Sequence, residues 1–138
     1  MNEATYELRP VGWVASPLTD RADAPLQGDE GAPEAWLMID PGLADAVDGL
    51  GVGNEIMVLT WLDRADRDVL KVHPRGDPAN PLLGVFATRS PDRPNPIGLH
   101  RVTILAITGT RIRVSNLEAL DRTPVVDIKP VLGRADER

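Results

Sequence analysis

Residues 55–62 read EIMVLTWL, an apolar run rich in the β-branched and aromatic residues that favour a buried strand. Similar segments recur on both sides of this run, separated by glycine, proline and aspartate: 6–14 (YELRPVGWV), 35–39 (AWLMI), 68–72 (DVLKV), 82–88 (LLGVFAT), 101–107 (RVTILAI), 111–114 (RIRV) and 125–129 (VVDIK). Short strands with turn signals between them predict a mainly β fold, a small barrel or sandwich.

Helical patterning is rare in this chain. We expect one or two short helices, and residues 41–50 (PGLADAVDGL) hold the one that can be located. Asp40 stands before it as an N-cap, Pro41 fits the first turn, and the glycines from Gly49 onward end it. Because 55–62 and 68–72 are close in sequence, we expect these two strands to pair as a hairpin. The polar stretch at 16–33 predicts a long loop.

The glycines at 49, 51 and 53 do not match a common nucleotide-binding loop. In a Rossmann fold such a loop follows a strand and opens a helix, whereas here the predicted order is helix, glycines, strand. Cysteine is absent and the histidines are two, His73 and His100, so disulfides, thiolate catalysis and a three-histidine metal site are excluded. We expect a non-Rossmann fold and no metal.

The length of 138 residues is that of one domain. The 12 glycines and 13 prolines stay below the roughly 25–30% that marks low-complexity sequence, so they indicate many turns in an ordered fold. No apolar run approaches the ~18 residues of a membrane span, and the first residues, MNEATYELRP, lack the apolar centre of a signal peptide. We therefore expect a cytoplasmic protein without membrane association.

Charge is distributed unevenly along the chain, whose formal net charge is −6. Residues 1–63 hold two basic and twelve acidic residues, whereas 64–138 hold thirteen basic and nine acidic ones. The acidic total disfavours a general nucleic-acid binder. The second half either presents a basic face to an anion or is simply an unevenly charged, solvated surface.

Residues 84–99, GVFATRSPDRPNPIGL, are the most informative stretch for function. Three prolines fix their own backbone angles and push the residues before them toward extended conformations, which predicts a stiff loop. Between and beside them stand hydrogen-bonding side chains: Arg89, Ser90, Asp92, Arg93 and Asn95. Polar groups held in a preset geometry bind a ligand at lower ordering cost, and Gly98 permits a close backbone approach. The alternative is a proline-rich connector.

Residues 120–130, LDRTPVVDIKP, form a second constellation, in which a turn precedes a strand. Asp127 and Lys129 are two residues apart and so share one face of that strand. They either neutralise each other or offer an acceptor and a donor to a zwitterionic ligand. His73, before the turn at 74–76, is a candidate base near neutral pH or an ordinary surface residue.

The two constellations, together with VGWVASP at 11–17, resemble the TrmO/YaeB-like (TsaA-like) methyltransferases over about residues 10–132. The resemblance implies a single domain, 1–138, with a small β-barrel fold. It further implies a homodimer that binds S-adenosyl-L-methionine near the subunit interface. The family's activity is N6-methylation of N6-threonylcarbamoyladenosine in tRNA, so tRNA is the implied partner.

The resemblance also implies site residues. The cofactor pocket would be formed by Arg89, Ser90, Arg93, Asn95, Gly98, Leu120, Thr123, Asp127, Lys129 and Pro130. If the acceptor N–H needs a base, the candidates are Asp92, Asp127 and His73. Arg122 stands where the family has glycine, so it either has an ordinary backbone angle or reaches a ligand.

Two alternatives remain beside the tRNA methyltransferase. One is a methyltransferase of the same fold that acts on a small molecule or another acceptor. The other is a non-catalytic module that binds S-adenosylmethionine. The strand end WLDR at 61–64, where tRNA-methylating members often have an aromatic-rich strand ending in histidine, keeps both alternatives open.

Overall fold

The structure is a computed structural model that describes residues 3–21 and 31–133. Its eight strands are β1 (Gly12–Ala15), β2 (Ala35–Ile39), β3 (Glu55–Trp61), β4 (Lys71–Val72), β5 (Leu83–Gly84), β6 (Ile97–Thr108), β7 (Arg111–Val114) and β8 (Pro124–Pro130). Six of them close into an antiparallel barrel in the order β1-β2-β7-β6-β3-β8. This confirms the mainly β, non-Rossmann prediction.

Alternation along the strands places one apolar face inside the barrel. In β3, Ile56, Val58 and Thr60 are buried while the residues between them are partly exposed, which is the period-2 pattern of a half-buried strand. The inward side chains of the other strands are also buried and form one cluster: Val14, Leu37, Val102, Ile104, Ile112, Val114 and Val125. The hydrophobic core is therefore the barrel interior.

Strand β6 is the longest and links the barrel to the proline-rich segment that precedes it. Its residues 97–103 pair with β3, and its residues 104–108 pair with β7. The predicted strand at 101–107 begins four residues earlier, at Ile97, inside the sequence PIGL. The three prolines thus lie in a segment, residues 88–96, which we call the proline loop and which runs directly into a barrel strand.

The helices are short 3-10 turns: Pro41–Val47, Pro74–Gly76 and Val85–Ala87. The predicted helix at 41–50 is confirmed in position, with the Asp40 side chain accepting a hydrogen bond of 2.9 Å from the Gly42 N–H. It is a 3-10 helix rather than an α-helix. In the described part of the chain, no helix has the length and hydrophobicity to cross a bilayer.

The predicted hairpin between 55–62 and 68–72 is wrong. Both edges of β3 are taken by β6 and β8, because the barrel closes through it. The two-residue β4 instead pairs with β5 as a separate small sheet, with Lys71 opposite Gly84. Closure of the barrel, which sequence proximity does not reveal, determines the partners of β3.

Two predicted strands are shorter than expected. Segment 82–88 holds only Leu83–Gly84 as strand and then turns as a 3-10 helix, where Val85 is buried but Phe86 is 84% exposed. Segment 6–14 becomes strand only at Gly12, after Pro10, and residues 6–10 are exposed. The predicted loop at 16–33 is described only in part, because residues 22–30 lie outside the described ranges.

We expect Gly98→Ala to destabilise the barrel by about 1–3 kcal/mol, the usual cost of overpacking a core. A β-carbon at position 98 would overlap Thr60 Oγ1 and lie 2.7 Å from His100 Nε2. Gly84→Ala is the matched control, because its nearest non-neighbour atom would be 4.0 Å away. Urea unfolding measures both variants, and equal stability would contradict this packing.

Candidate functional site

A cavity of about 850 Å³ opens at one side of the barrel, within the ~300–1,000 Å³ range of small-ligand sites. Its walls come from the chain after β3, the proline loop, the first half of β6 and the segment 115–123. Its lining includes Leu62, Arg64, Arg89, Ser90, Pro91, Arg93, Gly98, Leu99, His100, Glu118, Leu120 and Thr123. The wall is mixed, with apolar side chains beside several cations.

Arg93 holds the proline loop together from within. Its guanidinium donates hydrogen bonds to the carbonyls of Val85 at 2.8 Å, Thr88 at 3.0 Å and Ser90 at 3.1 Å. Proline removes backbone donors, so carbonyls in this segment have few N–H partners and a fork of guanidinium donors replaces them. Arg93 therefore shapes the wall that it also lines.

Asp92 is held on the other side of the same loop. Its carboxylate accepts two bonds of 3.3 Å from the Arg21 guanidinium and one of 2.9 Å from the Asp66 N–H. Partial burial raises the pKa of Asp92, but the Asp66 hydrogen bond, the Arg21 hydrogen bonds and the Arg21 charge outweigh it and leave that pKa below its usual range. The carboxylate is thus kept ionised as a brace.

A third arginine braces the end of the loop. Arg67 donates from Nε to the Pro94 carbonyl at 2.6 Å and from its terminal nitrogen to Asn95 Oδ1 at 2.9 Å. Its guanidinium also lies over the Trp61 ring, 5.1 Å from the ring centre. The stiff loop expected from the prolines is therefore cross-linked by three arginines.

The segment 115–123 forms the opposite wall and is docked against the chain after β1. The Arg122 N–H donates to the Val14 carbonyl and the Asp121 N–H to the Leu18 carbonyl, both at 2.7 Å. Asp121 Oδ1 in turn accepts from the Ser16 N–H at 3.0 Å. These bonds place Leu120 and Thr123 at the cavity.

Arg122 adopts the left-handed conformation, with φ of 67°, so the expectation of an ordinary backbone angle at this position is wrong. The turn keeps the backbone geometry that glycine adopts without strain, and an arginine there costs about 1–2 kcal/mol. Its side chain is exposed and is not among the described residues that line the cavity.

Six of the ten predicted cofactor residues come together at the cavity: Arg89, Ser90, Arg93, Gly98, Leu120 and Thr123. The other four lie apart from its lining. Asn95 is bound to Arg67, and Pro130 ends β8 opposite Ile56. Asp127 and Lys129 face outward on β8 and pair with each other, with 3.1 Å between the carboxylate and Nζ. Of the two interpretations of this pair, mutual neutralisation matches the geometry.

None of the three candidate bases is among the described residues that line the cavity. Asp92 is engaged by Arg21 and Asp66, and Asp127 by Lys129. His73 is exposed, and its Nδ1 lies 2.8 Å from the Asn80 carbonyl oxygen, outside the barrel. Their catalytic roles stay predictions.

Sequence reasoning missed two parts of the cavity wall. The chain after β3, including Leu62 and Arg64, was assigned no role, although a strand end beside a loop is a frequent site of binding residues. Glu118 was also missed, because a single acidic residue between turn signals carries no motif. The proximity of both to the proline loop depends on barrel closure.

A closed six-stranded barrel with a braced proline loop over a mixed cavity, and with no Rossmann glycine loop, is a small β-barrel ligand-binding protein. The family model for the tRNA-methyltransferase O N-terminal domain matches residues 13–137. The chain belongs to this family. That membership supports methyl transfer dependent on S-adenosylmethionine as its general activity.

Similar proteins and structures agree with this family. A probable S-adenosyl-L-methionine-binding protein of Methanothermobacter thermautotrophicus is 48% identical over 94% of this chain and 93% of its own length. A second protein of that description, from Methanocaldococcus jannaschii, is 51% identical over 90% of each chain. The crystal structure of TrmO from Pseudomonas aeruginosa superposes with a TM-score of 0.76 at 28% identity. It covers 99% of this chain, which spans 62% of that one.

We expect Arg122→Gly to stabilise the protein by about 1 kcal/mol relative to Arg122→Ala, because only glycine relieves the left-handed strain. Both variants lose the same charged side chain, so their difference isolates the backbone. Thermal unfolding of the two variants measures it. An alanine variant as stable as the glycine variant would contradict strain at this turn.

Proposed function

We propose that this chain is a cytoplasmic methyltransferase that uses S-adenosyl-L-methionine to methylate N6-threonylcarbamoyladenosine in tRNA at N6. The observation that carries the proposal is the cavity beneath the braced proline loop in a TrmO-family barrel. The relatives described as S-adenosylmethionine-binding proteins support this cofactor. The tRNA-methyltransferase name of the family supports the substrate class.

The chemistry of the cavity fits this cofactor. Arg89 is exposed at the cavity and has no hydrogen-bond or ion-pair partner among the described residues, so its guanidinium is free for a carboxylate. The other arginines of the wall are engaged, for example Arg93 by the loop carbonyls. Apolar side chains at Leu62, Leu99 and Leu120 offer a surface for an adenine ring.

A bound S-adenosylmethionine would supply an electrophilic methyl group on a sulfonium. The protein's contribution is alignment: a rigid wall fixes the geometry of two reactants and removes much of the entropic barrier. Arg93 and the prolines provide that rigidity, because the guanidinium cross-links the loop carbonyls. Arg89 would hold the carboxylate of the cofactor.

The proposed tRNA contact rests on the cations near the cavity. Arg64 donates to the Thr19 carbonyl at 3.0 Å and lines the same cavity as Arg89. Guanidinium groups beside a nucleoside-sized cavity fit phosphate contacts from the flanking backbone. The basic second half of the sequence supplies these groups, whereas the acidic first half contributes most of the net negative charge.

We further propose that the protein is a homodimer. Large apolar side chains are exposed around the small β4–β5 sheet, with Phe86 84%, Leu70 67% and Leu82 52% exposed. Several large apolar side chains exposed near one small sheet are typical of a surface that binds a partner. A second copy of the chain is the occupant that the family resemblance implies.

The second candidate is a module that binds S-adenosylmethionine without turnover, or transfers methyl to another acceptor. The description of the similar proteins as binding proteins favours the module. The departure of the strand end at 61–64 favours another acceptor. Both share the cofactor cavity with the main proposal.

We expect Arg89→Ala to weaken S-adenosylmethionine binding by roughly 10–100-fold, since a hydrogen bond to a charged group contributes about 1.5–3 kcal/mol. Arg111→Ala is the control, because Arg111 lies outside the cavity, over the Trp36 ring. Titration calorimetry measures both. Unchanged affinity in Arg89→Ala would remove this residue from the site.

The reaction is tested with purified protein, S-adenosylmethionine and tRNA that carries threonylcarbamoyladenosine. Mass spectrometry of the digested tRNA is expected to show a methylated threonylcarbamoyladenosine, absent when the tRNA lacks the modification. If the protein binds the cofactor in calorimetry but gives no such product, the tRNA substrate is wrong and the second candidate replaces it.

A further inference from the structure

A hydrogen-bonded series of three polar side chains, Thr60, His100 and Glu118, crosses the interior of the barrel to the cavity. Glu118 Oε1 lies 2.6 Å from His100 Nδ1, and His100 Nε2 lies 2.7 Å from Thr60 Oγ1. His100 is 4% exposed, Thr60 is fully buried, and the Glu118 side chain is 17% exposed. Groups of this kind are costly to bury, so their retention in a small core calls for an explanation.

The two distances place each ring nitrogen of His100 within hydrogen-bond reach of one oxygen, and the tautomer decides which group donates. In the arrangement that a proton acceptor at Glu118 requires, the Thr60 hydroxyl donates to Nε2 and the imidazole donates its Nδ1 proton to Glu118 Oε1. Gly98, opposite Thr60 on the paired strand, leaves the space in which the Thr60–His100 bond forms.

Glu118 is the member of this hydrogen-bonded series that lies nearest to the open cavity. It lines the cavity together with Gly98 and His100. Its second oxygen, Oε2, accepts no hydrogen bond from the described residues. A carboxylate held by one oxygen, with the other oxygen uncommitted, has the form of a positioned proton acceptor.

The other charged groups around the cavity are engaged or distant from this role. Glu55 is paired with Arg101 at 3.0 Å, and Asp121 accepts from the Ser16 N–H. The remaining charged residues that line the cavity are Arg21, Asp63, Arg64, Arg89 and Arg93. Of the carboxylates that line the cavity without an arginine or lysine partner, Asp63 is exposed on the chain after β3, whereas Glu118 is held by the buried His100 ring.

We propose that Glu118 accepts the proton released when a nitrogen acceptor is methylated in this cavity, and that His100 and Thr60 position it. This inference rests on the methyltransferase function proposed above. The acceptor nitrogen forms a bond to the methyl carbon, the carbon–sulfur electron pair stays on sulfur, and the N–H proton passes to Glu118 Oε2. The electron pair of the N–H bond remains on nitrogen. A nucleophilic role for Thr60 is excluded by its complete burial.

Glu118→Gln tests the assignment in single-turnover methyl transfer to tRNA carrying threonylcarbamoyladenosine, measured across pH. We expect a rate lower by about 10²–10³-fold, the usual scale of general-base catalysis, and loss of the acid limb of the pH–rate profile. Cofactor affinity is expected to stay within about threefold, since the alignment of the loop is untouched. Glu34→Gln is the matched control, because Glu34 pairs with Arg113 and is not among the described residues that line the cavity, and it is expected to retain rate and profile.

Thr60 separates positioning from mere packing. Thr60→Val removes the hydroxyl with little change in volume, so the imidazole loses its fixed proton position. The acid limb of the pH–rate profile is expected to shift in Thr60→Val, whereas Thr60→Ser restores the hydroxyl and the wild-type profile. A Thr60→Val variant that is less stable but keeps the wild-type pH–rate profile would show that the three hydrogen-bonded side chains only support the fold. That result would overturn the positioning roles of His100 and Thr60.

The hydrogen-bond arrangement around His100 can be examined without catalytic turnover. Nitrogen-15 NMR of the His100 ring is expected to show the neutral form with the proton on Nδ1. An imidazolium at neutral pH, or a proton on Nε2, would contradict the proposed proton path and overturn the inference. The valine variant of Thr60 is expected to change the Nε2 signal and leave the Nδ1 proton in place.

The outcomes distinguish this inference from the function on which it rests. If the wild type transfers methyl and Glu118→Gln matches it, the assignment of Glu118 fails and the proposed function stands. If the wild type binds the cofactor but methylates no threonylcarbamoyladenosine, the proposed function fails and the proton role of Glu118 fails with it.

Discussion

The hydrogen bonds from the Arg93 guanidinium to the carbonyls of Val85, Thr88 and Ser90 are the constraint on which the proline loop, one wall of the candidate site, depends. A segment with three prolines has lost three backbone donors, so it cannot be ordered by a ladder. One side chain with five N–H groups supplies the missing donors at the centre of the loop. This part of the cavity wall is consequently ordered by side-chain hydrogen bonds rather than by a strand ladder.

The barrel gives this loop a fixed base. Strand β6 begins at Ile97, where the proline loop ends, and pairs along its first half with β3. The same half of β6 carries Gly98 and His100, so the proline loop and His100 belong to one continuous segment, whereas Thr60 lies on β3 and Glu118 in the segment 115–123. A small barrel with a single apolar core can therefore hold polar chemistry at its edge, because the strand pairing fixes the positions.

The fold was predictable to the extent that local alternation determines it. The pattern at 55–61 and 35–39 distinguishes inward from outward residues, and this is enough for a mainly β fold, either barrel or sandwich. The barrel itself was implied by the family resemblance. Strand partners were not predictable, because an alternating strand has two equivalent edges. The hairpin expected after β3 was wrong for this reason.

The site was predictable only where one short stretch contains it. Arg89, Ser90, Arg93 and Gly98 share the proline stretch and reach the cavity together. Asp127 and Lys129, predicted at the same pocket, lie outside the cavity lining and form an exposed ion pair, and their role toward a cofactor stays a prediction. The reverse holds for 115–119, where the residues carry no motif and meet the loop only through tertiary structure, whereas Leu120 and Thr123 belong to the second predicted stretch and do line the cavity.

Whether the Arg93 hydrogen bonds build the cofactor site is tested most directly by the affinity of Arg93→Lys for S-adenosylmethionine, measured by calorimetry on protein shown to be folded. A lysine keeps the positive charge but lacks the fork that reaches three carbonyls at once. We expect Arg93→Lys to bind S-adenosylmethionine at least about tenfold more weakly, the effect of losing roughly 1.4 kcal/mol of preorganisation. Wild-type affinity in this variant would contradict the claim that the Arg93 hydrogen bonds build the cofactor site.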